Sequence, residues 1–147
     1  MKAARMILIF GVLGYGLQHT AEPFAADNEV RQGRLVCLDA KTQETPCSSV
    51  PAARGLKTEE GQVFPLRSGD ALGTLVSEKR LRSNRFQLTL RKEQGTPFFE
   101  VIRSQILRDG KVLDFYYFCE VCNITTYAPG LCMCCREETA YHEKVAD

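Results

Sequence analysis

Tryptophan is absent from this 147-residue sequence, and histidine and net charge are scarce: it contains two histidines, His19 and His142, and its formal net charge is +1. It also lacks H-E-x-x-H, G-x-S-x-G, C-x-x-C-H and a glycine-rich phosphate loop. These motifs serve zinc proteases, serine hydrolases, haem attachment and nucleotide binding. Without them the sequence offers no recognisable active site, and we predict a non-enzymatic protein.

Positive charge is not concentrated in any long segment. Lys79-Arg80-Leu81-Arg82 is the one basic cluster, and acidic residues are interspersed with basic ones elsewhere. Nucleic-acid binding needs a basic face that neutralises phosphates. The sequence therefore predicts no nucleic-acid partner.

Long apolar runs are also missing. The longest, Met6 to Leu17, is shorter than the about 20 residues that cross a bilayer, and it follows Lys2 and Arg5. A basic start, a short apolar run and small residues near Ala25 and Ala26 are typical of a secretory signal. We predict a signal peptide over 1–26, no stable membrane span after its removal, and a periplasmic or secreted protein.

Cysteine, in contrast, is abundant near the carboxyl end, where five of the seven cysteines fall. Cys119 and Cys122 form one C-x2-C pair, and Cys132 and Cys135 form a second. Two such pairs can supply the four thiolates of a tetrahedral Zn²⁺ site. Cys134 is surplus and an alternate to Cys135, and His142 is a reserve ligand.

Three alternatives remain open for this cluster. Export to an oxidising compartment favours disulfides. Soft thiolates also bind Cu(I), which suits a copper- or zinc-trafficking protein. A C-x2-C pair can equally act in thiol–disulfide exchange.

The two remaining cysteines, Cys37 and Cys47, lie apart from the cluster. In an oxidising compartment they are candidates for a disulfide that fastens the loop after the first strand. The chain-entropy model gives such a short loop about 2 to 3 kcal/mol of stabilisation.

Short apolar and alternating segments predict a mostly β fold. The predicted strands cover 33–38, 62–67 (an edge strand because of Pro65), 85–91, 98–107 and 111–118. A long surface loop is predicted over 39–61, a short helix capped by Ser68 or Asp70 near 71–76, a bulge near Ser104 and Gln105, and a tight turn at Asp109-Gly110. The aromatic run 115–118 is predicted to pack in the core, with surface stacking as the alternative.

Two resemblances extend this interpretation. Gly33-Arg-Leu-Val-Cys-Leu-Asp39 resembles the first strand of small OB-like domains of exported bacterial proteins, which implies a five-stranded antiparallel barrel. The cysteine segment is similar to zinc-ribbon and rubredoxin-type modules, and Pro129 to Cys135 resembles the end of small heavy-metal-binding domains. Ribbons usually carry glycine after each second cysteine, where this chain has Asn123 and Arg136.

Together these patterns predict an OB-like domain over 28–115 and a zinc-ribbon-like hairpin module over 116–147. The predicted function is structural zinc binding, used to present a surface to an unknown protein partner. Ligand or oligomer binding on the barrel face is a further alternative.

Overall fold

A computed structural model of the chain describes residues 28–47 and 53–147. The predicted signal peptide and His19 lie outside the described residues. Nine strands and one helix occur in the described ranges. They are β1 Asn28–Leu38, β2 Glu44–Thr45, β3 Ala53–Lys57, β4 Val63–Leu66, α1 Asp70–Ser77, β5 Arg85–Lys92, β6 Phe99–Arg108, β7 Lys111–Cys119, β8 Ile124–Thr126 and β9 Ala140–Val145.

Five strands form a ring in the order β1-β3-β4-β6-β5, with β5 pairing back to β1. All of these pairings are antiparallel except β4 with β6, which is parallel. Its register contains the single pair Leu66↔Phe99, supported by a hydrogen bond from Arg67 N–H to the Phe99 carbonyl at 2.8 Å. The mostly β fold with one short helix is confirmed, but the ring has a weak seam and is not a clean barrel.

Gly33 marks the corner of the ring. β1 pairs with β5 up to Gly33 and with β3 from Arg34 onward. A Cβ atom at position 33 would lie 2.1 Å from the backbone oxygen of Lys57, so only glycine allows the two strands to approach this closely. This close backbone contact therefore requires glycine at the first position of the predicted strand motif.

The core lies inside the ring and is closed at one end by α1. Alternation in β5 is as predicted, because Phe86, Leu88 and Leu90 are fully buried. Leu72 and Leu75 of α1 are buried against them, as the predicted helical face requires. The helix N-cap is Gly69 without a side-chain hydrogen bond, so the predicted cap by Ser68 or Asp70 is wrong.

The predicted loop over 39–61 is also wrong, because the short β2 pairs with β1 in its first half and β3 lies between β1 and β4 in its second. Glycine at position 55 and charge at Arg54 and Lys57 hide the strand from a search for apolar alternation. Glycine is favoured at position 55 because a Cβ atom there would come within 2.9 Å of the Leu38 side chain. Packing against the neighbouring strands therefore determines that this segment forms β3.

The hairpin between β6 and β7 carries the chain out of the ring. Asp109 and Gly110 have φ angles of 51° and 72°, which confirms the predicted tight turn. The register of β6 against β5 skips Ile102, since Leu90 pairs with Val101 and Thr89 with Arg103. The predicted bulge therefore exists two residues earlier than expected.

β7 runs across the predicted boundary at 115/116 without interruption. β6 and then β8 pair along one edge of β7, and β9 pairs along its other edge from Leu113 to Phe118. The cysteine segment is thus joined to the ring by a continuous strand and by a returning one. None of the described helices is long and apolar enough to span a bilayer.

Candidate metal centre

The first cysteine pair sits at the tip of the β7–β8 hairpin. Cys119 is the last residue of β7 and pairs with Ile124, and the N–H of Asn123 donates to the Cys119 carbonyl at 2.8 Å. Asn123 has a φ angle of 56°, in the left-handed region that reverses the chain after Cys122. The turn therefore directs both sulfurs to one side.

The second pair sits at the tip of a smaller hairpin, with the same local geometry. Cys132 N–H donates to the Glu137 carbonyl at 2.8 Å, and Arg136 N–H donates to the Cys132 carbonyl at 3.0 Å. Arg136 has a φ angle of 66°. Asn123 and Arg136 thus both take the left-handed conformation that glycine adopts most readily.

The two turns bring four sulfurs together. The Sγ atoms of Cys119, Cys122, Cys132 and Cys135 all lie within 4.8 Å of one another, and none of these cysteines is in a disulfide. Cys119 Sγ and Cys135 Sγ are 3.4 Å apart. A tetrahedral zinc shell with Zn–S bonds of about 2.3 Å places its sulfurs about 3.5 to 4 Å apart. The cluster therefore needs small side-chain shifts to hold such an ion.

Backbone N–H groups in the second turn point at a sulfur. Those of Cys135 and Cys134 hydrogen-bond to Cys132 and lower its pKa to about 6. A thiolate at Cys132 is therefore favoured at neutral pH, and a thiolate is the form that binds metal.

In the first cysteine pair, the pKa values of both thiols are raised. The Cys122 N–H acts to lower the pKa of Cys119, but burial and hydrogen bonds with the Cys135 and Cys132 thiols raise it overall. The pKa of Cys122 is raised, first by a hydrogen bond with the Cys134 thiol and then by one with Cys135. Four crowded sulfurs cannot all be anionic by themselves, so a cation that binds here must displace protons.

Burial divides the five clustered cysteines. Cys119 and Cys132 are buried, Cys122 and Cys135 are half-buried, and Cys134 is exposed. The group of four that could hold an ion contains Cys135 and not Cys134. The second pair thus takes the C-x2-C form, with the alternate residue outside the shell.

His142 is not in this group of four. It lies on β9, stacked on Tyr116 with ring centroids 5.4 Å apart and edge-on to Phe118 at 6.1 Å. Its Nε2 is enclosed without a hydrogen-bond partner among the described residues. The reserve ligand of the sequence analysis is therefore a packed aromatic neighbour of β7.

The aromatic run of β7 divides between two faces. Phe115 and Tyr117 are buried on the core side, and Tyr117 donates to the Glu78 carboxylate at 3.1 Å. Burial and this hydrogen bond raise the pKa of Tyr117 to about 12. Core packing is confirmed for these two residues.

Tyr116 and Phe118 point to the opposite face of β7. They line an open groove of about 1120 Å³ where β6 and β7 diverge. Arg103 and Asp114 also line the groove and form a 2.9 Å ion pair. Because side chains alternate between the two faces of a strand, the sequence could have predicted that Tyr116 and Phe118 face away from Phe115 and Tyr117. The prediction instead assigned the whole aromatic run to one environment.

The other predicted pair of cysteines is joined in the structure. Cys37 and Cys47 form a disulfide with an S–S distance of 1.96 Å. It links β1 to the segment after β2, far along the chain from the four-sulfur cluster. The described residues thus contain a disulfide in one place and, in another, four free cysteines that could hold a metal ion.

Comparison of the chain with protein-family models, with curated proteins and with solved structures finds no match.

Proposed function

We propose that this is an exported, non-enzymatic zinc-binding protein whose Zn²⁺ is structural and is held by Cys119, Cys122, Cys132 and Cys135. The observation that carries the proposal is the repetition of one turn geometry. Two C-x2-C turns, each closed by a hydrogen bond back to its first cysteine and by a left-handed residue, place four sulfurs within 4.8 Å. Paired turns of this kind are typical of structural zinc sites.

A closed shell favours a structural role for the ion. A catalytic zinc keeps a coordination position open for water or substrate, and four thiolates fill all the positions of a tetrahedron. Among 120–139 the one buried residue is Cys132. A segment with so little apolar burial needs another source of stability, and a bound ion supplies it.

The ion would fix the shape of an exposed apolar tip, which we define as Val121, Ile124, Tyr127, Leu131 and Met133. Each is between 45% and 94% exposed, although large apolar side chains usually lie inside. Along the chain, these residues lie within or between the two cysteine turns. We propose that it contacts a protein partner and that zinc presents it rigidly.

The remaining chain fits this proposal as an OB-like domain over 28–115 with a zinc-ribbon-like module over 116–147. The ring order, in which the first strand pairs with both the second and the fourth of its five strands, supports the OB-like interpretation. The Cys37–Cys47 disulfide supports export, because disulfides persist in oxidising compartments. The near-zero net charge gives no support to a nucleic-acid partner.

Metal analysis of the purified protein tests the proposal. We expect one zinc per chain, loss of that zinc to a strong chelator, and four thiols that become reactive when it is lost. Cys119→Ser should abolish stoichiometric binding, whereas Cys47→Ser should not. A protein without zinc and without free thiols at these positions would refute the assignment.

Metal trafficking is the second candidate, favoured by the exposure of Met133 and Cys134 beside the cluster. A thioether and a thiol are soft ligands that suit Cu(I). A trafficking protein should exchange its ion within seconds and prefer Cu(I) in competition. Slow zinc exchange that Met133→Ser does not change favours the structural role.

A further inference from the structure

The two sulfurs of the Cys37–Cys47 disulfide differ in their access to solvent. Cys37 lies on β1 and is 1% exposed, whereas Cys47 follows β2 and is exposed. Thiol–disulfide exchange begins when a thiolate attacks one sulfur of a disulfide, and access decides which sulfur is attacked. A thiolate from solution therefore meets Cys47, and Cys37 is the sulfur that must leave.

A cation lies beside the sulfur that must leave. β3 pairs with β1 in a register that places Arg54 directly opposite Cys37. The Nη1 atom of Arg54 donates to both sulfurs of the disulfide, and it lies 3.4 Å from Cys47 Sγ and closer to Cys37 Sγ. Among the described residues no carboxylate forms an ion pair with Arg54. Its positive charge is therefore directed at the disulfide.

A cation in this position favours exchange. A neighbouring arginine stabilises a cysteine as its thiolate, and a more stable leaving thiolate departs faster. A guanidinium also keeps its positive charge at every ordinary pH. The disulfide thus combines an accessible sulfur for attack with a stabilised sulfur for departure. A cross-link alone requires neither feature.

We propose that Cys47 is a thiol-exchange site that takes up a small thiol, with Cys37 as the leaving thiolate and Arg54 as the residue that stabilises it. The thiol belongs to the class of low-molecular-weight thiols, such as a short cysteine-containing peptide. This inference is separate from the proposed zinc site, because it uses neither of the two C-x2-C pairs.

The exchange balances without an added oxidant. The thiolate of the small thiol attacks Cys47 Sγ, a new S–S bond forms between them, and the Cys37–Cys47 bond breaks. Its electron pair goes to Cys37 Sγ, which becomes a thiolate beside Arg54. The small thiol is oxidised by one electron and Cys37 is reduced by one. In the reverse step the Cys37 thiolate attacks Cys47, expels the small thiol and closes the disulfide again.

Exchange would release the segment that the disulfide fastens. β2 pairs with β1 at two positions only, Cys37↔Thr45 and Leu38↔Glu44. A solvent-exposed ion pair between Lys57 and Glu44 joins β2 to β3, and exposed ion pairs stabilise a fold little. Uptake of a thiol therefore loosens β2 and leaves the apolar core of the ring in place.

The experiment compares the full chain, with zinc present, with Arg54→Gln, Arg54→Lys and Lys57→Gln. Glutamine removes the charge at position 54 and lysine keeps it. Lys57→Gln is the matched control, because it removes a cation of the same strand that contacts Glu44 and not the sulfurs. Circular dichroism first establishes that each variant is folded.

Each protein is then treated with two monothiols, glutathione, which is anionic, and cysteamine, which is cationic. Alkylation and peptide mass mapping measure the rate at which Cys37 becomes a thiol, and they identify the cysteine that carries the added thiol. The two reagents separate an effect on the leaving sulfur from attraction of an anionic thiol, because only the latter depends on the charge of the reagent.

We expect both reagents to be found on Cys47. Arg54→Gln should slow exchange at least about threefold with both, because the leaving thiolate loses its cation. Arg54→Lys should restore most of the rate, and Lys57→Gln should react like the unchanged chain.

Three results would overturn the proposal: an added thiol on Cys37, equal rates for Arg54→Gln and the unchanged chain, or slowing with glutathione alone. If Arg54→Gln does not fold, the position of the added thiol in the unchanged chain decides by itself. None of these outcomes depends on whether the four clustered cysteines hold zinc, so the thiol-exchange site and the proposed function can fail separately.

Discussion

The five-stranded ring surrounds a cluster of twelve buried apolar side chains, whereas the segment between Glu120 and Thr139 buries Cys132 alone. Packing of these side chains excludes water from the ring, and the burial of apolar surface is the dominant favourable term in folding. The cysteine segment has two small hairpins and no apolar core of its own. Its stability must come from its attachments to β7 and β9 and from the cluster of sulfurs.

The two regions also use cysteine in opposite ways. In the ring, Cys37 is buried and covalently joined to Cys47. In the C-terminal segment the four clustered cysteines remain thiols. A disulfide stabilises a fold by lowering the conformational entropy of the unfolded chain. A metal site instead stabilises the folded state by the free energy of binding the ion. We therefore expect removal of a metal to disturb the cysteine segment and reduction of the disulfide to disturb the ring.

Removal of zinc should have the largest effect, and it should be confined to the cysteine segment. Binding free energies of structural zinc in zinc-finger peptides are about 10 to 16 kcal/mol, far more than this segment's packing can replace. Hydrogen exchange after chelation should show loss of protection at the N–H groups of Asn123 and Arg136, which close the two turns. Those of Phe86 and Leu88 in β5 should keep theirs.

Cys119→Ser should reproduce the effect of the chelator, with Cys134→Ser as the control that keeps all four ligands. If protection in β5 were lost together with that of the turns, the two regions would fold as one unit and the comparison would fail.

Truncation in the ring core should come next in size. Leu88 is fully buried, and Leu88→Ala should lower the free energy of unfolding by about 2 to 5 kcal/mol through lost burial and the cavity it leaves. Urea titration followed by circular dichroism measures this change. Zinc content under native conditions should not change.

Ile124→Ala is the matched control for this substitution, since Ile124 is apolar but 45% exposed and pairs with Cys119 at the first cysteine turn. It should change the free energy of unfolding by less than about 0.5 kcal/mol. A larger loss from Ile124→Ala than from Leu88→Ala would contradict the placement of the core.

Opening the disulfide should have an intermediate effect that is limited to the ring. Cys47 is exposed, and Cys47→Ser removes the cross-link with little loss of packing. We expect about 2 to 3 kcal/mol less stability in urea, because the link closes a loop of ten residues in sequence separation. The rate of zinc release should be the same as in the unchanged chain.

Cys134→Ser again provides a control, because it removes one exposed sulfur without breaking a cross-link. Its urea midpoint should match that of the unchanged chain. A mild reducing agent should lower the midpoint of the unchanged chain to that of Cys47→Ser and leave Cys47→Ser itself unaffected.

The features that sequence reasoning predicted are those encoded by neighbouring residues. Alternation in β5, the Asp109-Gly110 turn and the C-x2-C spacings depend on local geometry, so each could be recognised from a short stretch. β3 could not, because Gly55 fits there only in relation to the Leu38 side chain. Pairing partners far along the chain decide such a strand.

The same reason explains what was missed around the site. β9, over Ala140–Val145, has a mixed composition without clear apolar alternation, and it is a strand because the free edge of β7 pairs with it. Its position places His142 beside Tyr116 and outside the group of four cysteines that could hold a metal ion. The group of four cysteines that could hold an ion was predictable because spacing alone brings each pair together once its turn forms.

The smallest expected effect tests whether the two cysteine turns are equivalent. Arg136 and Asn123 occupy the same position in their turns, with φ angles of 66° and 56°, but arginine tolerates the left-handed region less well than asparagine. Arg136→Gly should therefore strengthen zinc binding by about 1 kcal/mol, or about fivefold in affinity. Asn123→Gly should change the affinity by less, and competition with a zinc indicator of known affinity measures both.

Arg136→Ala separates backbone from side chain in this last test. Alanine removes the guanidinium but keeps a Cβ atom, so the strain of the left-handed conformation stays. We expect Arg136→Ala to bind zinc like the unchanged chain, because its turn is equally strained. If alanine strengthened zinc binding as much as glycine, the arginine side chain and not backbone strain would be what weakens binding in the unchanged chain. The equivalence of the two turns would then rest on their hydrogen bonds alone.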